Sequence, residues 1–232
     1  MNLTNRQNDI LNYLKTSGKA SIRTLANTFY VSDMTIRRDL ISLDRQGYIR
    51  RFRGGAVLTD SSEMKHPIQL RAFVNEQEKK KLAELAASFL SDNQLIFLDS
   101  SSTCMFLTPY IAAHKGVRVI TNSLETLLAL SARGVPCAGT GGDFYEPDMC
   151  FVGEDATEYL RKLRPNIAFF SSTCCVPSQK LCYDDVISEA RVRFVASEMS
   201  QKNIFLFDSS KINLTAPYLV CNPERISEII TL

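Results

Sequence analysis

Tryptophan is absent from the 232 residues, histidine occurs twice (His66 and His114), and no cysteine precedes Cys104. With so few histidines and no Cys-x-x-Cys pair, the ligand spacing of a zinc site is missing, and no cofactor motif takes its place. All seven cysteines (Cys104, Cys137, Cys150, Cys174, Cys175, Cys182 and Cys221) lie beyond residue 100. Their odd number argues against a secreted disulfide framework. They are expected as small core or loop residues, with Cys174, Cys175 and Cys182 the one group close enough in sequence for a redox pair. No apolar run reaches the roughly eighteen residues that span a bilayer, and the first ten residues lack the apolar centre of a signal peptide. A cytoplasmic location is expected. Internal repeats and low-complexity stretches are missing too, which excludes solenoid and fibrous classes.

What remains is a globular composition, 45% hydrophobic and 22% charged, in a length that suits one large domain or a small one plus a medium one. The net charge of +2 names no partner, but its distribution does. Residues 1–58 carry ten Lys/Arg against four Asp/Glu, and residues 59–232 carry seventeen against twenty-one. A basic head on a mildly acidic body points to nucleic acid at one end only.

Within the head, residues 31–40 read VSDMTIRRDL. Ser32 is a suitable N-cap, and Ile36, Leu40 and Leu43 recur at the i, i+4, i+7 spacing of one apolar helical stripe. The opposite face gathers Met34, Thr35, Arg38, Ser42 and Arg45, with Arg37 to one side. Hydroxyls and guanidinium groups on an exposed face suit base edges and phosphates. Upstream, Thr4 and Gln7 form a capping-box pattern before a helix carrying Ile10, Leu11 and Leu14, and Ser21 caps a second helix reaching Phe29. Downstream, Gly47 is placed to end the helix, and two strands at 48–52 and 56–58 flank a turn at Arg53, Gly54 and Gly55. This is the order of a winged helix-turn-helix, whose second motif helix enters the major groove. Its hairpin is basic, with Arg50, Arg51 and Arg53 placed to hold a phosphate backbone or reach a minor groove.

Residues 59–75 show no sustained period and read as a linker. A helix is expected over 75–90, burying Leu82, Leu85, Ala86 and Phe89. Beyond residue 94, short apolar runs at 95–98, 117–120, 137–139, 167–170 and 204–207 alternate with helical stretches at 105–113, 124–132, 156–162 and 186–199. Continuously apolar runs suit parallel strands buried on both faces. The expectation is an α/β protein with a winged helix-turn-helix over 1–58, a linker over 59–75, and a doubly wound, mostly parallel sheet domain over 76–232.

Ligands of such sheets bind beyond the carboxyl ends of the strands. The residues found there are Asp99, Ser100, Ser101, Ser102 and Thr103; Thr121, Asn122 and Ser123; Thr140, Gly141, Gly142 and Asp143; and Asp208, Ser209, Ser210 and Lys211. Small hydroxyl residues with two carboxylate-bearing ends and one lysine describe a pocket for a polyhydroxylated, phosphorylated molecule. Singly, each has a plainer role: Ser102 or Ser123 capping a helix, the glycine pair making a turn, Lys211 solvated.

VSDMTIRRDL, followed by Leu43, Gly47 and the RGGA of 53–56, closely resembles the N-terminal signature of the DeoR family of bacterial transcriptional regulators. IFLDSSST at 96–103, VITNS at 119–123, Gly141 and Gly142, Gly153, Glu189 with Ala190, and FDSSK at 207–211 resemble that family's effector domain. The resemblance covers nearly the whole chain. It implies Thr35, Arg37 and Arg38 on DNA, and Asp99, Ser100, Thr103, Asn122, Gly141, Gly142 and Lys211 around an effector, joined by Glu189 and Arg191. It also implies a second domain similar in fold to ribose-5-phosphate isomerases and CoA transferases that senses phosphorylated sugars or related metabolites. Two departures stand out: Ser101 occupies a position where the family usually has glycine, which is expected to narrow the loop, and residues 172–183 lack the family's glycine-containing pattern.

The expected function is a sequence-specific DNA-binding repressor controlled by a phosphorylated sugar, without enzymatic activity. Because one helix-turn-helix covers one half-site, a homo-oligomer, dimer or tetramer, is expected on the operator. Two alternatives stay open: an isomerase-like enzyme fused to a DNA-binding head, with Asp99, Asp208 or Glu189 as acid or base, and a DNA-binding protein whose α/β domain serves oligomerisation alone.

Overall fold

In the computed structural model the capping box closes at the start of α1 (Asn5–Ser17): the Gln7 N–H donates to Thr4 Oγ1 at 3.2 Å and the Thr4 N–H to Gln7 Oε1 at 3.0 Å. The structure describes residues 3–45, 48–52, 54–58, 68–72 and 74–232. Gly47, Arg53, the Arg50 side chain and most of the 59–75 stretch lie outside the described residues, apart from a helical turn, Ile68–Arg71. The chain divides into two units, Met1–Arg71 and Ala72–Leu232.

In the first unit α1 is followed by β1 (Lys19–Ser21), α2 (Ile22–Thr28), α3 (Asp33–Arg45), β2 (Ile49–Phe52) and β3 (Gly55–Leu58). The strand β1 was not expected, three residues being too few to show a period. It pairs antiparallel with β3, which pairs with β2. A Cβ at Gly55 meets the Ala20 carbonyl oxygen and the Phe52 ring, so only glycine lets β1 lie this close to β3. Ile36, Leu40 and Leu43 are buried in one cluster with Ile10, Leu14, Leu25, Ile49 and Ala56. Burial of each Ile or Leu side chain contributes about 1.5–3 kcal/mol. Asp39 is also buried, and it accepts from Arg6 Nε at 2.6 Å, tying α3 to α1.

The second unit starts with α5 (Glu76–Ala86), α4 being the Ile68–Arg71 turn. Then come β4 (Leu95–Leu98), α6 (Ser102–Met105), α7 (Thr108–Ile111), β5 (Arg118–Thr121), α8 (Leu124–Ser131) and β6 (Cys137–Gly139). The hairpin strands β7 (Asp143–Tyr145) and β8 (Cys150–Val152) precede α9 (Glu154–Arg161), β9 (Ile167–Phe170), β10 (Cys174–Val176), β11 (Leu181–Asp184) and α10 (Ile187–Met199). The chain closes with β12 (Asn203–Phe207), β13 (Tyr218–Leu219) and β14 (Glu228–Thr231). Leu85 is 45% exposed, contrary to expectation. The buried face of α5 is instead Lys79, Leu82, Ala83 and Ala86. The stretch 105–113 is broken between α6 and α7, with Pro109 in the first turn of the second helix.

Six strands form one parallel sheet in the order β14-β12-β9-β4-β5-β6. Alternate residues feed opposite faces. Ile96, Leu98, Phe169 and Leu206 join a cluster with Ala83, Leu107 and Leu130, while Phe97, Phe170 and Phe205 join one with Leu160, Val192 and Ala196. Helices therefore cover both faces, as a doubly wound fold requires. The chain winds outward from β4 through β5 to β6, then returns to β9 on the other side of β4 and winds out to β14. The order reverses between β4 and β9, and open α/β sheets bind ligands in the crevice beyond the carboxyl ends of the strands at such a point.

Candidate functional site

The outer face of α3 carries Met34, Arg37, Arg38 and Arg45 exposed, with Thr35 and Ser42 half-buried. Ser32 accepts from the Thr35 N–H at 3.2 Å, and the two hydroxyls bond at 2.9 Å, so Ser32 caps the helix and steadies Thr35. Arg51 differs from expectation: its Nε donates to Asp44 Oδ2 at 3.0 Å and its N–H to Asp44 Oδ1 at 3.3 Å, fastening β2 to the end of α3. Both side chains are partly exposed, and such pairs contribute about 0–1 kcal/mol, little enough for a phosphate to displace Asp44.

At the crevice of the second unit, Asp99 immediately follows β4. Its Oδ1 accepts from the Ser101 N–H at 2.9 Å and Ser101 Oγ at 2.5 Å, and its Oδ2 from the Ser171 N–H at 3.0 Å and Arg193 Nε at 2.9 Å. Four donors fill the lone-pair directions of a carboxylate, so Asp99 fastens the ends of β4 and β9 to α10 and has nothing left for a ligand. Arg193 Nη1 donates to Asp184 at 2.8 Å and Glu189 at 3.0 Å, and its Nη2 reaches Ser100 Oγ at 3.4 Å. Burial pulls the guanidinium pKa down, and Asp184, Glu189 and Asp99 together more than reverse this, holding it well above its ordinary value.

Two lysines meet the same crevice. Lys211 Nζ donates to the Ser172 carbonyl at 2.9 Å and Ser171 Oγ at 3.2 Å. Lys79, buried on α5, donates to Ser102 Oγ at 3.2 Å. Asp208 lies in their field: burial pushes its pKa up, but Lys211, the Ser210 hydroxyl, Asn75 and Lys79 outweigh this and hold it low. Thr103 Oγ1 and Asn122 Oδ1 are buried without a hydrogen-bond partner among the described residues. Ser101 caps α6 by accepting from the Cys104 N–H at 3.1 Å, and Ser123 caps α8 by accepting from the Thr126 N–H at 3.1 Å. Gly142, at φ +103, is pressed against the start of α9, where a Cβ meets the Val152 carbonyl oxygen.

A family description of a DeoR-like helix-turn-helix domain matches residues 6–62, and one of a DeoR C terminal sensor domain matches residues 74–231. The chain belongs to the DeoR family. The HTH-type transcriptional regulator IolR of Bacillus subtilis is 29% identical over 220 residues, 94% of this chain and 87% of that protein. The lactose phosphotransferase system repressor of Lactococcus lactis is 30% identical over 217 residues, 92% of this chain and 84% of that protein. In fold, eIF2B delta from Chaetomium thermophilum aligns over 70% of this chain and 57% of that chain, at 15% identity and a TM-score of 0.50.

DeoR-family membership makes the chain a DNA-binding transcriptional regulator and sets aside the isomerase reading. At the family's usual glycine position, Ser101 sits at φ −76, ψ 144, ordinary extended backbone, so its Cβ causes no strain and its hydroxyl is used twice. The 172–183 segment forms the β10–β11 hairpin, which hands Asp184 to Arg193 and the Ser172 carbonyl to Lys211. Arg191 is corrected: it is 63% exposed and pairs with Glu154 at 3.1 Å, while Arg193, two residues on, enters the buried cluster. Sequence reasoning missed Lys79, Ser171, Ser172, Asp184 and Arg193. A signal existed for two of them. Lys79 stands at i−3, i−4 and i−7 from Leu82, Ala83 and Ala86, and Arg193 follows Glu189 by one turn.

Six of the seven cysteines are buried and Cys137 is half-buried. Burial is the first cause of every raised thiol, pushing Cys150 and Cys175 up to about 12 and Cys221 up to about 11. Such thiols hold almost no thiolate near neutral pH, which suits core residues and leaves little for a redox pair.

Proposed function

We propose that this regulator is a repressor whose DNA-binding unit reads an operator through α3 and whose α/β unit binds a phosphorylated sugar at the β4/β9 crevice. The observation that carries the reading is the face of α3: Arg37 and Arg38 are exposed on a helix whose other side is locked into the core by Ile36, Leu40 and Leu43. Thr35 and Arg38 contact bases, Arg37 a phosphate, and Ser32, Ser42 and Arg45 support the edges of the footprint. Arg50, Arg51 and Arg53 belong to the wing. The head spans residues 1–58 and residues 59–75 connect it to the sensor.

For the effector, support comes from the convergence of Lys211 with Ser171 and Ser172, and of Lys79 with Ser102, at the carboxyl ends of the central strands. Two ammonium groups flanking small hydroxyl residues suit a phosphate, and the unsatisfied Thr103 Oγ1 and Asn122 Oδ1 suit sugar hydroxyls. Ser100, Ser102, Gly141, Gly142 and Glu189 complete the lining. The names of the lactose phosphotransferase system repressor and of a putative aga operon transcriptional repressor point to sugar utilisation and to repression. Effector control requires the sugar phosphate to bind the DNA-competent and incompetent states with different affinity. One recognition helix serves one half-site, so the acting species is a homo-oligomer, a dimer or tetramer, in the cytoplasm.

The test is a mobility shift with DNA from upstream of the chain's own gene, run beside a thermal-stability screen of pentose and hexose phosphates. Retention of the DNA, and stabilisation by at least one sugar phosphate that also changes retention, are expected. Retention without any stabilisation leaves a DNA-binding protein whose α/β unit serves oligomerisation.

A further inference from the structure

We propose that the first turn of α5 is the element that senses effector occupancy and passes it to the linker, with Lys79 as its anion-binding residue and Asn75 as its latch. This rests on the reading of the β4/β9 crevice as an anion pocket. Lys79 is 3% exposed and donates to Ser102 Oγ, the first residue of α6, so its ammonium lies beside the turn that follows β4. The same turn is clasped to the end of β12. Asn75 Nδ2 donates to Asp208 Oδ1 at 2.9 Å, and Glu78 accepts from the Ser209 N–H at 2.7 Å and Ser209 Oγ at 3.0 Å. Three residues within five positions, the first of them the last residue of the linker, therefore connect to two strand ends of the crevice.

The latch takes the place of a helix cap. Asn75 is the N-cap residue of α5, yet it sits in the left-handed region at φ 51, ψ 36 and makes no capping bond, its amide being committed to Asp208. An asparagine at this position ordinarily takes extended backbone and accepts from the helix's free N–H groups. Asparagine enters the left-handed region more readily than other residues with a Cβ, so both backbone states are open to it. Two arrangements thus compete: the clasped one, with Asn75 left-handed and bonded to Asp208, and a released one, with Asn75 extended and capping α5. An anion that draws Lys79 and Lys211 away from the field of Asp208 changes their balance, and the backbone rotation at Asn75 redirects the chain entering the linker. Both sites bias one two-state element, which is what coupling requires.

The test uses the full chain and three probes: inorganic phosphate, ribose 5-phosphate and fructose 6-phosphate at matched ionic strength. Thermal stabilisation reads binding, and amide hydrogen exchange of peptides covering 72–81 reads the latch. In the parent, the probes that stabilise are expected to change exchange over 72–81 severalfold. Lys79→Met is expected to weaken probe stabilisation by about tenfold in apparent affinity, the effect of losing one charge-assisted bond. Asn75→Ser, which favours the extended capping form, is expected to keep the stabilisation and lose the exchange response. If no probe stabilises the parent, the anion-pocket reading falls and this inference with it. If probes stabilise the parent while exchange over 72–81 is unmoved, or if folded Lys79→Met is stabilised as well as the parent, the pocket reading stands and this inference is overturned.

Discussion

Arg193 Nε meets Asp99 Oδ2 at 2.9 Å, a bond between residues 94 positions apart that joins α10 to the end of β4. Because the guanidinium is shared with Asp184 and Glu189 and all four groups are buried, removing the cation leaves three carboxylates uncompensated. Arg193→Met is expected to destabilise the α/β unit by about 3–5 kcal/mol. Urea unfolding followed by circular dichroism checks this. A loss below about 1 kcal/mol contradicts the assignment, since that is the range of an exposed pair.

In the DNA-binding unit, Ile36→Ala is expected to cost about 2–5 kcal/mol through the cavity it opens beneath α3. Asp39→Ala removes a partner from Arg6, whose side chain is 39% exposed and can turn to water, so about 1 kcal/mol is expected. The contrast in unfolding midpoint between the two variants separates apolar packing from the ion pair.

Raised thiols give the α/β unit a pH dependence of fixed sign. A cysteine whose folded pKa lies above its unfolded value, about 8.5, contributes stability that is complete below that value and lost as pH rises towards the folded one. Cys221 at about 11 and Cys150 and Cys175 at about 12 put the loss between roughly pH 8.5 and 12. Thermal melts across that window are expected to show falling stability. Iodoacetamide at pH 8 is expected to label native chain slowly and at Cys137 first.

How far the sequence carries the reader depends on how local each determinant is. Thr4 with Gln7, Ser32, and the Ile36, Leu40, Leu43 spacing act within one turn or two of helix, and the first unit was legible from them apart from β1. The continuously apolar runs at 95–98 and 167–170 likewise announced buried parallel strands. The hairpins of β7 with β8 and β10 with β11 are too short and mixed to carry a period. In the site, residues following strands were legible because topology fixes their edge. Lys79, Asp184 and Arg193 went unread: beyond the helical spacing that hinted at Lys79 and Arg193, their partners Ser102, Arg193 and Asp99 are brought near only by folding, and Lys79 was hidden in a run of three lysines.

The alternation of burial on α3 implies that its outer charges can be removed without loss of fold. Arg38→Ala is expected to leave the unfolding midpoint within about 0.5 kcal/mol of the parent, whereas a variant that also unfolds marks Arg38 as structural.

The most direct measurement is an anisotropy titration of a labelled duplex from upstream of the chain's own gene, for the parent and Arg38→Ala, with and without the sugar phosphate that stabilises the protein most. Binding is expected to weaken steeply with salt, to fall about tenfold or more in Arg38→Ala, and to shift with the sugar phosphate. Equal binding by parent and Arg38→Ala, unmoved by any sugar phosphate, contradicts this expectation.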